Sequence, residues 1–143
     1  MFVSDILAYK GDRVISVAPQ DGLAAAIAVL AARRIGAVLV LDAGGAIAGI
    51  LSERDVLHAM ARDGAAAITR KVSEVMTAAV VTCDPDDSIE HVMETMTERR
   101  FRHLPVVRQG RLCGMISIGD VVRLRLEEQR READALREYI TAA

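Results

Sequence analysis

Val80-Val81-Thr82-Cys83-Asp84-Pro85-Asp86-Asp87-Ser88-Ile89 echoes Val14-Ile15-Ser16-Val17-Ala18-Pro19-Gln20-Asp21-Gly22-Leu23, 66 positions earlier in the chain. The opening Val, the Pro and one Asp coincide, and Ser16 faces Thr82. The register holds through the next thirty or so residues: Arg33-Arg34 falls on Arg99-Arg100, Val40 on Val106 and Gly44 on Gly110. One residue is lost after Gly44. Beyond it Gly49-Ile50-Leu51-Ser52-Glu53-Arg54-Asp55-Val56 meets Gly114-Met115-Ile116-Ser117-Ile118-Gly119-Asp120-Val121. A shorter match precedes each copy, Val3-Ser4-Asp5-Ile6-Leu7 against Val72-Ser73-Glu74-Val75-Met76. A unit of about 65 residues is therefore written twice, and repetition at a fixed period decides architecture before secondary structure does. The division expected is 1–70 and 71–143.

Each copy reads the same way. A short apolar strand (Val14 to Val17; Val80 to Cys83) runs into a Pro-containing turn, and Asp21 or Asp87 is placed to cap the amphipathic helix that follows. That helix closes near the paired arginines, whose charge suits its C-terminal dipole. Two apolar runs around a Gly-containing turn (Ala37 to Leu41 and Ile47 to Leu51; Leu104 to Val107 and Leu112 to Ile116) read as a hairpin, and a helix follows at once. The pattern is β-α-β-β-α, twice, an α/β (α+β) chain whose small sheets are covered by helices. The last helix, from about Gly119 to Ile140, is longer than its counterpart. It carries Val122, Leu126, Gln129, Ala133, Leu136 and Ile140 at alternating spacings of four and three. This stripe fits either a cover for the chain's own N-terminal segment or a contact with a second subunit.

The composition narrows the function classes. Hydrophobic residues make up 52% of the 143 positions, yet there is no Trp and only two Phe and two Tyr, so the core has to be aliphatic. A net charge of −2 provides no field that would attract nucleic acid or an anionic membrane. The longest uncharged apolar run, Gly22 to Ala32, is short of the ~20 residues a membrane span needs. Asp5 stands where a secretory leader would carry a cation, so a soluble cytoplasmic protein is expected. Cys83 and Cys113 match no metal-ligand spacing and are read as two reduced core thiols. His58 and His91 are read as helix-face residues rather than metal ligands.

The doubled G-h-h-S-x-x-D segment is where chemistry could reside. Ser with an acid three residues on, at a strand-to-helix junction, is a capping-box-like start that needs no ligand. The same arrangement can also bind one. A carboxylate at a helix start accepts two vicinal hydroxyls, and the hydroxyl and free N–H groups beside it can take a phosphate. Ser16 and Thr82 add a lone hydroxyl among aliphatics, and Arg102 and His103 stand before the second strand of the second copy, Leu104 to Val107. No nucleophile with a plausible base is apparent and no metal cluster, so catalysis is not expected.

The tandem repeat, the Pro-containing entry, the stretch Arg99-Arg100-Phe101-Arg102-His103-Leu104-Pro105-Val106-Val107 and the doubled motif resemble a pair of cystathionine-β-synthase (CBS) domains of the stand-alone bacterial type, over essentially the whole chain. The resemblance implies two units related by a pseudo-twofold axis, with adenosine-containing ligands (AMP, ADP, ATP, S-adenosylmethionine or NAD(H)) in clefts between them and no cofactor required. It further implies a regulatory module with no attached effector domain, pairing as a homodimer and read by an unidentified protein partner. A ligand-independent dimerisation scaffold is the alternative. Carried over by residue, Asp120 holds the ribose, and Ser117, Arg102 and His103 lie near the phosphate. Thr82 and the backbone at Val81 meet adenine or ribose, and Leu104, Pro105 and Met115 line the pocket. In the first copy Asp55, Ser52, Ile50, Val38 and Ser16 take these roles. There Gly36 and Ala37 replace Arg102 and His103, and Arg54 stands in the motif where the second copy has Gly119, a possible substitute cation. The second copy's site therefore ranks higher, with Lys10 a weaker candidate for a phosphate contact.

Overall fold

The computed structural model describes residues 1–142. Along the chain run α1 (Val3–Lys10), β1 (Ser16–Val17), α2 (Leu23–Arg33), β2 (Ala37–Leu41), β3 (Ile47–Ser52), α3 (Glu53–Asp63), a 3-10 segment Gly64–Thr69, α4 (Val72–Val75), α5 (Ile89–Arg99), β4 (His103–Arg108), β5 (Arg111–Ser117) and α6 (Ile118–Ala142). The expected β-α-β-β-α order is present twice, apart from the opening strand of the second copy. Val80 to Cys83 contributes a single parallel bridge, Cys83 to Val106, where β1 makes two pairs with β2. Asp21 and Asp87 are not the helix caps. Each folds back on the turn before it, accepting from the N–H of Ala18 (2.9 Å) and Asp84 (2.9 Å), which leaves Gly22 and Ser88 as the N-cap residues. Both helices end in a left-handed residue at equivalent positions, Arg34 (φ 53°) and Arg100 (φ 57°).

The compact units do not coincide with the consecutive halves 1–70 and 71–143. One unit is Val14–Val81, and the other joins Met1–Arg13 to the chain from Thr82 onward. The cause is an exchange of the short segments that precede each copy. Val3 and Ser4 donate their N–H groups to the carbonyls of Asp87 and Pro85 (2.9 and 2.9 Å), and Val72 and Ser73 donate to Asp21 and Pro19 (2.8 and 3.0 Å). The free N–H groups of a helix's first turn are thus satisfied by the Pro-containing turn of the other copy. Val3, Ile6 and Val72, the apolar face of these segments, are buried.

In the Val14–Val81 unit, β2 lies between a parallel β1 and an antiparallel β3. One face packs Val17, Val38, Val40 and Leu51 against Leu23, Ala26 and Leu30 of α2 and Val72 of α4. In the other unit β4 and β5 form the sheet, with Leu104, Val106, Ile116 and Cys83 buried along with Ile89, Val92 and Met96 of α5. The core is aliphatic, as the composition demanded; Phe2, Tyr9 and Tyr139 are exposed. Cys83 is a core thiol that burial pushes up to about 12, so it is protonated and unreactive at neutral pH. Cys113, also expected in the core, is only partly buried on the two-stranded sheet.

The line of α6 that is covered runs through Val121, Leu124, Arg125 and Glu128, and Glu128 pairs with the N-terminal amine at 2.6 Å. The stripe Val122, Leu126, Leu136, Ile140 is exposed, so it is not the cover for the N-terminal segment.

Exchange also explains the glycine that opens each motif. A Cβ built on Gly49 would come within 2.8 Å of the Thr77 carbonyl and 2.7 Å of Met76 Sδ, whereas one on Gly114 would meet the tip of Leu7 at 2.7 Å. Leu7 and Met76 are matched positions, so each glycine admits the exchanged segment against the middle of a hairpin strand. A side-chain tip yields more easily than a main-chain carbonyl. Gly49→Ala should therefore cost about 1–3 kcal/mol and Gly114→Ala clearly less, as measured by urea denaturation; equal losses would refute this account of the motif.

Candidate functional site

In the unit carrying α6, antiparallel pairing sets His103, the first residue of β4, opposite Ser117, the last of β5. The N–H of Ile118 donates to the carbonyl of Arg102 (2.8 Å), fixing the start of α6 at that end of the sheet. Ser117 and Asp120 then bond reciprocally: Ser117 N–H to Asp120 Oδ2 at 2.9 Å, and Asp120 N–H to Ser117 Oγ at 3.2 Å. The capping box is thus real. It also fixes a carboxylate one helical turn past Ser117, the residue that faces His103. Thr82, just before the Cys83 bridge, is exposed; Met115 is partly buried, and Leu104 and Pro105 are buried.

The Val14–Val81 unit repeats this arrangement with different side chains. Ala37 faces Ser52 across the hairpin, Glu53 N–H donates to the Gly36 carbonyl (3.0 Å), and Ser52 and Asp55 form the same reciprocal box at 3.0 and 3.2 Å. Ser16, on β1, is exposed, as is Arg54. Val38 is buried in the core, and Ile50 is partly buried. Val81 is the last residue of this unit, while Thr82 belongs to the other.

The two carboxylates differ in what reaches them from the exchanged segment. The α1 helix continues to Lys10, whose ammonium meets Asp120 Oδ2 at 2.8 Å. The α4 helix stops after one turn, and the chain straightens so that Thr77 exchanges both main-chain hydrogen bonds with Ile50 (3.0 and 2.9 Å). Its hydroxyl then donates to Asp55 Oδ1 at 3.0 Å. Thr77 lies just past the matched flanks, where the repeats no longer align, so sequence comparison had no register from which to find it. A groove of about 380 Å³ runs between α1 and α6, bordered by Ile6, Tyr9, Arg123, Leu124 and Glu127. Of the candidate ligand-binding residues only Asp120 reaches it. Among the described residues no group of His, Cys, Asp and Glu could hold a metal ion, and no helix is long and apolar enough to cross a membrane.

Two β-α-β-β-α repeats, each closing on a carboxylate held at a strand-to-helix junction, define a tandem-repeat module, and comparison with known proteins gives the family. The model of the CBS domain matches residues 3–62 and 72–127, and the chain belongs to the CBS-domain family. A mitochondrial CBS domain-containing protein of Arabidopsis thaliana, CBSX3, is 33% identical over 96% of this chain and 71% of its own length. The crystal structure of a CBS-domain containing protein from Agrobacterium tumefaciens superposes with a TM-score of 0.85 at 48% identity, covering 87% of this chain and 92% of that one. A CBS domain pair solved in complex with 5′-methylthioadenosine and S-adenosyl-L-methionine superposes with a TM-score of 0.78 at 25% identity, over 90% and 98% of the two chains.

Burial alone would push the Asp120 carboxyl up, but the hydrogen bonds from Lys10 and the Ser117 backbone, with the Lys10 charge, hold it below its ordinary 3.8. A depressed folded-state value adds stability above the ordinary carboxylate range, and that stability is lost as pH falls from there through the folded value. Lys10 is 41% exposed, so solvent screening limits the pair to roughly 0.2–1 kcal/mol. Lys10→Met should lose that much at pH 7. Its deficit against the unaltered chain should shrink below about pH 3.8 in a denaturation series; a deficit independent of pH would show that the ion pair is not its source.

Proposed function

We propose that the protein is a regulatory module that binds an adenosine-containing ligand (AMP, ADP, ATP, NAD(H) or S-adenosylmethionine) and does no chemistry of its own. The observation that carries this is the carboxylate held in the same reciprocal box in both units, each at the open end of its hairpin, away from the turn. A fixed carboxylate of this kind can accept both hydroxyls of a ribose. The related CBS pair solved with two adenosine ligands supports the ligand class.

In this reading Asp120 and Asp55 hold the sugars. Ser117 and the α6 start lie near the phosphate with Arg102 and His103, while Thr82 and Ser16 offer their exposed hydroxyls. Met115 and Ile50 supply apolar contact, as do the chain at Val81 and the strand residues Val38, Leu104 and Pro105. Since no aromatic ring occupies these positions, adenine would rest on aliphatic side chains and main-chain polar groups. Ligand that favours one arrangement of the module shifts its population, and a cytoplasmic protein partner would sense the difference.

Thermal-shift and calorimetric titration with the five ligands should give binding to at least one, and Asp120→Ala should weaken it more than Asp55→Ala. Silence across the series at millimolar concentration would overturn the proposal, and equal losses would refute the ranking of the sites.

The exposed stripe Val122, Leu126, Leu136 and Ile140 on α6 favours a second reading, a scaffold that pairs two copies whether or not ligand is present. Sedimentation would then give a dimer that Leu126→Glu with Leu136→Glu dissociates, leaving any ligand affinity unchanged. A monomer in the unaltered chain would dismiss it.

A further inference from the structure

Lys10 and Asp120 are 110 residues apart in sequence and 2.8 Å apart in space. The same oxygen, Asp120 Oδ2, also accepts the Ser117 N–H at 2.9 Å. A carboxylate oxygen has two lone-pair directions, so both directions on Oδ2 are taken. A vicinal diol that donates one hydroxyl to each carboxylate oxygen therefore has to displace one of these donors. The Ser117 N–H is main chain at the start of α6 and cannot leave without undoing that start. The Lys10 ammonium sits on a flexible four-carbon stem, 41% exposed, and can swing away.

Displacement leaves the ammonium without its counter-charge, near the end of the sheet where Ser117 faces His103, the first residue of β4. An anionic group on the incoming ligand would take the place of the carboxylate; a ligand without one leaves the ammonium uncompensated. The other unit faces no such choice. Asp55 receives the neutral hydroxyl of Thr77 at 3.0 Å, and a ribose hydroxyl can replace it with no change of charge.

We propose that Lys10 is an exchangeable counter-ion, passing from Asp120 to the phosphate of the ligand, and that this exchange makes the Asp120 site select nucleoside phosphates over uncharged or cationic adenosine compounds. The inference rests on the adenosine-binding reading above and adds the ligand class at one of its two sites. Lys10 acts through its charge, so its substitution should change the ratio of two affinities rather than binding in general.

The test is calorimetric titration of the full chain carrying Asp55→Ala, which leaves the Asp120 site, with AMP and with adenosine. AMP should bind at least about tenfold more tightly than adenosine. Adding Lys10→Met, or Lys10→Gln, should bring the ratio below about threefold, chiefly by weakening AMP, and Lys10→Arg should retain the preference because it keeps the charge. Melting curves of the three variants identify any that are not folded; at the exposed end of a helix all three substitutions should be tolerated. A ratio unmoved by both neutral substitutions, or adenosine binding as tightly as AMP in the chain with Lys10 intact, overturns the counter-ion role and leaves the adenosine-binding reading standing. Failure of both ligands to bind the otherwise unaltered chain overturns this inference, whereas the adenosine-binding reading falls only if the whole ligand series is silent.

Discussion

The exchange of two short helical segments is the constraint on which the rest of this structure depends. Main-chain hydrogen bonds hold it, among them those from Val3 and Ser4 to the turn at Pro85 and from Val72 and Ser73 to the turn at Pro19. Each bond joins a helix start, which has N–H groups to spare, to a Pro-containing turn with carbonyls to spare. Burial of Val3, Ile6 and Val72 supplies the apolar driving force. The glycines that open the two motifs belong to the same arrangement, because any Cβ at Gly49 would occupy the path of the exchanged chain. A motif that reads as a ligand signature thus begins with a packing requirement.

Much of this was legible in the residues because the chain carries its own alignment. The matched pairs Val40 with Val106, Arg34 with Arg100 and Ser52 with Ser117 locate hairpins, helix ends and helix starts without outside information, and the structure places each of them as expected. The exchange itself was not legible. Val3 to Leu7 stands next to the first copy in sequence, and nothing in its composition says that its hydrogen-bond partners lie more than eighty residues away. The caps failed for a local reason. Asp21 and Asp87 can satisfy either the helix that follows or the turn that precedes, and the turn's N–H groups win at both places. Of the two roles open to the α6 stripe, cover for the N-terminal segment is the one the structure excludes, because the covered line of α6 runs through Val121, Leu124 and Glu128.

The site residues show a similar division. The Ser–Asp boxes were predictable because both partners lie within four residues, where spacing determines geometry. Lys10 and Thr77 were not predictable as carboxylate partners, since they arrive on the exchanged segments and diverge where α1 continues for eight residues and α4 for only four. That difference in helix length turns two carboxylates with the same local geometry into one paired with a cation and one paired with a hydroxyl. Duplication produced the common frame, and the asymmetry between the sites comes from the flanks.

The exchange also bears on the order in which the molecule can be made. The unit Val14–Val81 is one uninterrupted stretch, complete once its last residue has left the ribosome. The other unit consists of two pieces, and α1 emerges first yet finds its turn, its Gly114 strand and its cover in α6 only after the second copy has followed. Since domains assemble N-terminal first during synthesis, the eight residues of α1 spend that interval with no sheet to lie on. A helix that short is marginal in water by itself. The α1 segment therefore precedes the Val14–Val81 unit in the chain yet is ordered after it.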